Sequence, residues 1–208
     1  MDPLFTCPAP TALADIPAQA CPERYDQIIR MFLMRRQSAA LFTTTTVKVL
    51  ETWTPLFAED DSTKIIKTPL LSNVVIPPGE ILKEGGNDNT TINGIPRLNG
   101  RGFAPVTIQL QDAESAVRKG LRALASESAL QPGFTNLEAI FVNRFGQLIY
   151  RKATDNVFGI PIYNFVVGDV GTEGFGKSNI ANMSFDLAPG WSDDVAMIGV
   201  TDFNPLTV

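Results

Sequence analysis

The sequence predicts a mainly β protein, a β-sandwich or a partly rolled antiparallel sheet, with one flanking α-helix at about residues 112–128. Three observations lead to this prediction. Residues 105–111 (PVTIQLQ) alternate apolar and polar side chains, with the period of two that is typical of a half-buried strand. Residues 112–128 place alanine, valine and leucine on one helical stripe and basic residues opposite it. Beyond residue 137, short segments of strand composition are separated by turn residues.

Length and composition set the domain organisation that we expect. The chain has 208 residues, a size that one all-β sandwich or barrel can occupy. Hydrophobic residues make up 44% and charged residues 19%, which is enough apolar material for a sizeable core. We therefore predict an extended N-terminal arm at 1–22 and a single β-rich domain at 23–208, with a long loop at 84–102.

Charge and residue usage argue against several classes of function. The formal net charge is −5, which disfavours a protein that grips nucleic acid by neutralising phosphates. The chain contains no histidine, so the usual acid/base catalyst at neutral pH and the commonest zinc ligand are both missing. We therefore predict a protein that is not an enzyme and that uses no cofactor or metal.

The N-terminal arm is defined by its five prolines, which prevent a regular helix and cannot donate to a strand ladder. The arm also carries the apolar side chains Leu4, Phe5 and Ile16. Apolar side chains on an extended segment favour contact with another surface. That surface is either the protein's own domain or a neighbouring subunit.

The two cysteines, Cys7 and Cys21, both lie in this arm. They form a disulfide across a small loop, or they are two free thiols in a reducing cytoplasm. The N-terminus lacks the basic and apolar regions of a secretory signal, and no apolar run approaches the roughly 18 residues that cross a bilayer. We expect a chain made in the cytoplasm, without a membrane partner.

In the first part of the domain, the sequence predicts strands interrupted by one short helix. Residues 25–37 fit either a helix or a strand, and we favour a strand. Residues 40–50 (ALFTTTTVKVL) predict a strand because β-branched threonine and valine suit a pleated surface. Thr54 is predicted to cap a short helix that has Pro55 as its first residue and ends near Asp60.

The middle of the chain predicts short strands, the long loop and the helix. Residues 62–80 predict two strands cut by prolines. Residues 84–102 are rich in glycine and asparagine, and a loop of this length is usually functional or disordered. Asp112 is predicted to cap the 112–128 helix, with Glu114 complementing its dipole.

The last third predicts antiparallel strands. Residues 137–152 predict a hairpin around the turn Asn143 to Gly146. The segments 159–170, 179–191 and 194–203 all have strand composition.

One motif suggests a nucleotide site. Residues 171–178 (GTEGFGKS) match G-x-x-x-x-G-K-[ST], a loop that cradles phosphates where a helix follows it. Behind Ser178, however, Met183, Phe185 and Leu187 alternate with polar residues, which predicts a strand. We therefore predict a glycine-rich turn between two antiparallel strands.

Three segments carry a resemblance to a known class of proteins. They are EILKEGGNDNTTINGIP, GIPIYNFVVGD and the closing FDLAPGWSDDV with TDFNPL. Together with the plan of strands around one helix, a proline-rich arm and a Gly/Asn loop, they resemble virion proteins of phages with Bacteroidetes-type hosts. The overall pattern is similar to the tail tube proteins of tailed bacteriophages.

The resemblance implies a structural subunit that stacks as rings around a DNA channel. Its partners would be copies of itself, other virion proteins, and double-stranded DNA that passes through without specific binding; its location would be the virion. The 84–102 loop would contact the next ring, and the arm would lie across a neighbour. The implied subunit-interface residues are Leu4, Phe5, Ile16, Asn87, Asp88, Asn89, Asn93, Arg97 and Arg101.

Two alternatives remain open from the sequence. One is another virion protein: a capsid decoration, head-completion or tail-terminator protein. The other is a soluble β-sandwich module that binds carbohydrate, with Trp53 or Trp191 as a stacking platform. For either tryptophan, a place in the core or under a turn is the favoured interpretation.

Overall fold

The computed structural model describes residues 25–86, 95–129, 136–172 and 174–208, and this part of the chain is mainly β, as the sequence predicts. It contains α1 (Leu50–Ala58), α2 (Ser115–Ala129) and a 3-10 helix at Thr46–Lys48. The strands are β1 Ile28–Arg35, β2 Phe42–Thr43, β3 Ile65–Lys67, β4 Ser72–Val75, β5 Ile81–Glu84, β6 Arg97–Arg101, β7 Ala104–Gln111, β8 Leu137–Asn143, β9 Gln147–Ala153, β10 Asn156–Phe158, β11 Ile160–Thr172, β12 Asn179–Leu187 and β13 Val195–Gly199.

Eleven of these strands form one antiparallel sheet. Its main path runs β2-β10-β9-β8-β11-β12-β7-β4. Outside this path, β1 pairs with β8 and β3, and β13 pairs with β9. Within the described parts of the chain, β5 and β6 pair only with each other, as a separate two-stranded sheet.

The sheet rolls back on itself through the segment between β3 and β4. β3 pairs with β1, and the pairing continues past its end: the Thr68 N–H donates to the Met31 carbonyl at 3.0 Å, and the Leu71 N–H donates to the Ile29 carbonyl at 2.7 Å. The chain then enters β4, which pairs with β7. This one segment therefore joins β1 to the far end of the path, which makes the sheet partly rolled.

Two hydrophobic clusters lie on opposite faces of the β1–β8–β9 region. The first fills the interior of the roll with alternate side chains of β1, β7, β8, β11 and β12. The second lies between the outer face of β1, β8 and β9 and a cover made of α1, the 3-10 helix and the C-terminal segment. Because β8 serves both clusters, all seven of its residues are buried. This explains why its sequence, LEAIFVN, does not alternate as a half-buried strand would.

The α2 helix packs against β11 with the apolar stripe that the sequence predicts. Leu121 is buried in the first cluster, and Val117 and Leu124 pack at its edge. On the neighbouring face, the Arg122 guanidinium donates to the Gly168 carbonyl at 2.7 Å. Within the described residues, neither helix is both long and apolar enough to cross a membrane.

The prediction of a strand over residues 40–50 is wrong. Only Phe42–Thr43 is a strand, and a 3-10 helix follows at Thr46–Lys48. Thr43 and Thr46 bind each other: the Thr43 N–H donates to the Thr46 hydroxyl at 2.8 Å, and the Thr46 N–H donates to the Thr43 hydroxyl at 3.2 Å. Such local side-chain bonds satisfy the backbone without a ladder, and this possibility competes with the β preference of threonine.

The start predicted for the short helix is also wrong. α1 begins at Leu50 rather than after Thr54, and Pro55 lies inside it. The free Leu50 N–H is satisfied by the Asp202 carboxylate at 2.8 Å, from a residue 152 positions away in the chain. Because the capping group comes from a distant segment, the local sequence carries no sign of it.

Asp112 does not cap α2, which begins at Ser115. Its φ of 47° places it in the left-handed region, where Asp is tolerated. There it forms two bonds with Asn179: its N–H donates to the Asn179 carbonyl at 2.8 Å, and its carboxylate accepts from the Asn179 N–H at 2.9 Å. Asp112 therefore fixes the start of β12 rather than that of the helix.

The remaining strand predictions are confirmed. Residues 25–37 contain β1, and residues 62–80 contain β3 and β4. The 137–152 hairpin is present as β8 and β9, with the Gly146 N–H donating to the Asn143 carbonyl at 3.0 Å across the turn. The three C-terminal segments form β11, β12 and β13.

Candidate assembly surface

The ends of the predicted 84–102 loop are strands rather than loop. β5 and β6 pair antiparallel, with Ile81 opposite Arg101 and Glu84 opposite Arg97. The register shifts between Leu82 and Lys83, across from Gly100 with its φ of 125°. A glycine at such a position permits the local irregularity of a bulge. Residues 81–101 thus start and end as a hairpin, and residues 87–94 lie outside the described part of the chain.

This hairpin is exposed on both faces. Successive residues of a strand point to opposite faces. Ile81 is 66% exposed and its neighbour Leu82 is 42% exposed, so neither face of β5 is covered. On β6, Leu98 is 72% exposed. Apolar side chains on a strand pair are normally placed against a core, and here the described part of the chain leaves them largely exposed.

The base of the hairpin is closed by its own backbone and tied to the rolled sheet by a side chain. The Gly102 N–H donates to the Glu80 carbonyl at 2.7 Å, which continues the pairing of β5 with β6. The Arg101 guanidinium reaches the Asp193 carboxylate at 3.3 Å, and both side chains are more than 60% exposed. An exposed ion pair of this kind contributes about 0–1 kcal/mol. These contacts orient the base of the hairpin, and the rest of the described hairpin projects from the rolled sheet.

Two of the predicted interface residues fall on this hairpin. Arg97 and Arg101 both lie on β6, with Arg97 directly opposite Glu84. Leu4, Phe5, Ile16, Asn87, Asp88, Asn89 and Asn93 lie outside the described residues. Ile81 and Leu98 are not among the predicted interface residues. Their segments, ILKE and RLNGR, are short runs on either side of glycine-rich residues, and this arrangement is the signal that indicates a hairpin.

The motif at 171–178 is a turn between β11 and β12, which pair antiparallel up to Thr172 and Asn179. Gly174 and Gly176 have φ values of 106° and 74°, which only glycine adopts freely. Between them, Phe175 projects fully exposed. No helix follows the turn, so its N–H groups lack the aligned dipole that a phosphate site uses. The prediction of a glycine-rich turn is confirmed.

We expect this turn not to bind nucleotide. Titration of the full-length protein with a fluorescent ATP analogue should give no saturable signal, with or without Mg²⁺. Lys177→Ala should leave that result unchanged, because the lysine lies on an exposed turn without phosphate-binding geometry. Saturable binding that Lys177→Ala abolishes would contradict the assignment of this segment as a turn.

A groove of about 600 Å³ lies where the described chain begins. Tyr25 and Trp191 line it as a contacting aromatic pair, with ring centroids 5.9 Å apart and ring planes tilted by 42°. Residues of the 74–79 segment, including Pro77 and Pro78, also line the groove. Of the two tryptophans, only Trp191 is accessible: Trp53 is fully buried, stacked on Phe42 at 4.3 Å.

A buried carboxyl group lies on the outer face of β8. Glu138 is 1% exposed, and its Oε1 atom has no hydrogen-bond donor. Arg36 and Arg151 approach this atom at 3.9 and 3.7 Å, too far for hydrogen bonds. Burial raises the pKa of Glu138 to about 7, against the opposing effects of Arg151, Arg36 and the Gly159 N–H. The favourable interactions of the Glu138 carboxylate therefore do not offset the cost of removing its charge from water.

The described residues do not bring three or more acidic or cysteine side chains together as a metal site would. No protein-family model, curated protein or solved structure matches the chain. The resemblance to phage tail tube proteins accordingly stays a prediction.

Proposed function

We propose that the protein is a non-enzymatic structural subunit of a bacteriophage virion, a tail tube protein that self-assembles into stacked rings around a DNA channel. The observation that carries the self-assembly part is the β5–β6 hairpin, which exposes apolar side chains on both of its faces. A two-stranded hairpin alone is at best marginally stable in water. Burial against another copy would supply the missing cover.

The edges of the hairpin support the same proposal. β5 and β6 pair only with each other, so each has an outer row of backbone N–H and C=O groups without a strand beside it in the described chain. Exposed strand edges are templates for pairing with another chain. When one edge of each copy pairs with a different edge of the next copy, the contact is head to tail. Such contacts form a closed ring if the rotation from each copy to the next adds up to a full turn.

The phage assignment is supported by the sequence resemblance, and the channel is supported by charge. A net charge of −5 is suited to a conduit that lets DNA pass without gripping it. Of the alternatives, other virion positions would use the same hairpin contact. A carbohydrate-binding module would now depend on Trp191, because Trp53 is buried.

The assembly can be tested with one variant and a matched control. Leu98→Asp places a charge on the hairpin, and it should weaken self-association by about 2 kcal/mol or more, roughly thirtyfold in the association constant. Leu70→Asp makes the same substitution at another exposed leucine, 57% accessible and outside the hairpin, and it should not weaken association. Light scattering and electron microscopy over the micromolar range measure both.

The expected result is rings or tubes for the wild type and for Leu70→Asp, and smaller species for Leu98→Asp. A wild-type protein that stays monomeric at every concentration would overturn the proposal. Retardation of that monomer on a carbohydrate column would favour the binding module instead.

A further inference from the structure

We propose that the groove beside Trp191 is a binding site for a proline-rich segment, and that its occupant is the residue 4–10 segment (LFTCPAP) of the same chain. This inference does not depend on self-assembly. Aromatic-lined grooves recognise proline-rich segments because the extended proline helix is already ordered and loses little entropy on binding. The groove has this chemistry, because its lining includes the contacting Tyr25–Trp191 pair and Pro77–Pro78.

The charge of the groove fits an uncharged ligand. Among the described residues that line the groove, Asp26 is the one ionisable acid or base other than Tyr25. Its carboxylate is already paired, with Arg144 Nε at 3.0 Å and with the Gln27 N–H at 2.8 Å. A ligand with a net charge would therefore find no counterion there. LFTCPAP has no charged side chain, and it has two prolines beside the apolar Leu4 and Phe5.

Chain connectivity favours the segment of the same molecule over that of a second copy. Tyr25 is itself part of the groove wall, so the N-terminal arm that precedes it is tethered at the site. Pro10 and Tyr25 are 15 positions apart, since 25 − 10 = 15, and this length of chain can span about 50 Å when extended. This span is long enough for the chain to turn back, so that residues 4–10 can reach the groove. A short tether gives an effective concentration in the millimolar range, well above a micromolar protein concentration.

The two native cysteines allow a direct test in the full-length protein. Cys21→Ser leaves Cys7, inside the proposed ligand, as the sole native thiol. Ser192→Cys then adds an exposed thiol on the groove wall. Ser62→Cys is the matched control, an exposed serine that does not line the groove. Diamide oxidises each pair of thiols, and mass spectrometry of proteolytic fragments identifies the resulting disulfides.

We expect Cys7 to form a disulfide about tenfold faster in the Ser192→Cys variant than in the Ser62→Cys variant, because docking raises the local thiol concentration. The rate should not depend on protein concentration. In a mixture of isotopically heavy and light chains, every disulfide between Cys7 and the groove thiol should join fragments of one isotopic kind. Equal rates in the two variants would overturn the proposal, and so would mixed heavy–light disulfides, which would assign the groove to a second copy.

A second readout needs no added cysteine. Trp53 is fully buried, so acrylamide quenching of tryptophan fluorescence reports mainly on Trp191. Replacing both Pro8 and Pro10 by alanine should weaken docking and increase the quenching. Replacing Pro17 and Pro22 is the control, since both lie outside the 4–10 segment, and it should change the quenching less. Unchanged quenching in the Pro8/Pro10 variant would also overturn the proposal.

Discussion

Replacing Gly159 by alanine should destabilise the protein by about 3 kcal/mol. A β-carbon at this position would lie 2.4 Å from the Glu138 Cβ and 3.1 Å from the Ala139 backbone nitrogen. Neither atom is the end of a flexible side chain, so relief requires a shift of β8 relative to the start of β11. β8 is buried on both faces, and a shift there disturbs both hydrophobic clusters.

Urea unfolding followed by circular dichroism measures this effect. Gly120→Ala is the matched control, because a β-carbon there meets no atom within 4 Å and the residue lies in α2. It should stabilise the protein by about 0.5–1 kcal/mol, since alanine loses less entropy than glycine in a helix. A Gly159→Ala protein as stable as the wild type would show that β8 and β11 can separate at little cost.

Two of the correct strand predictions depend on signals that lie close together in the sequence. β7 alternates buried Val106, Ile108 and Leu110 with more exposed residues, so its period is visible in the sequence. The β8–β9 hairpin is marked by its turn residues, which act locally. In both cases the residues that specify the structure, the alternating residues of β7 and the turn residues of the hairpin, are close together in the sequence.

Two of the failures occur where a residue far away in the chain determines the local structure, whereas the failure at 40–50 comes from the local bonds between Thr43 and Thr46. The start of α1 depends on Asp202, and the geometry of Asp112 depends on Asn179. No window of neighbouring residues contains either pair. Strand order is hard to predict for the same reason, because it depends on contacts between residues far apart in the chain. The rolling of the sheet depends on two backbone hydrogen bonds from the 68–71 segment to β1, and side-chain patterns do not encode backbone bonds.

For the candidate surface, the sequence drew attention to one segment but not to the apolar residues that the segment exposes, and its role as an interface stays a prediction. Composition pointed to residues 84–102, and Arg97 and Arg101 do lie on the projecting hairpin. The glycine and asparagine content suggested a polar loop, whereas the described part of the hairpin exposes Ile81 and Leu98. Exposure of an apolar residue depends on what the rest of the chain fails to cover, and that is a property of the whole fold.

Glu138→Gln should abolish a loss of stability that the wild-type protein undergoes between about pH 4.5 and pH 7. Burial raises the pKa of this carboxyl group to about 7 in the folded state, from 4.5. Between these values the folded state binds a proton that the unfolded state has released, so the free energy of unfolding falls as pH rises. The full effect is about 3 kcal/mol, and the curve levels off above pH 7.

Urea unfolding at pH 5 and pH 8 of the wild type and the variant measures this difference. Glutamine keeps the shape of the side chain and stays neutral, so the variant should gain stability relative to the wild type as pH rises. The chain contains no histidine, which removes the usual source of a stability change in this range. Glu84→Gln, the same substitution on an exposed strand, should retain the wild-type pH profile.

The experiment decides which of two opposing effects is larger at Glu138. Arg36 and Arg151 favour the carboxylate, but at 3.9 and 3.7 Å they do not hydrogen-bond to Oε1, and the Arg36 side chain is 53% exposed. Arg151 also lies over the Phe158 ring, with 4.9 Å between its guanidinium carbon and the ring centroid. A buried carboxylate that has a donor, the Gly159 N–H, but lacks one at Oε1 keeps part of its desolvation cost. If Glu138→Gln instead loses stability relative to the wild type as pH rises from 5 to 8, the two arginines outweigh burial and the assigned order of the effects is wrong.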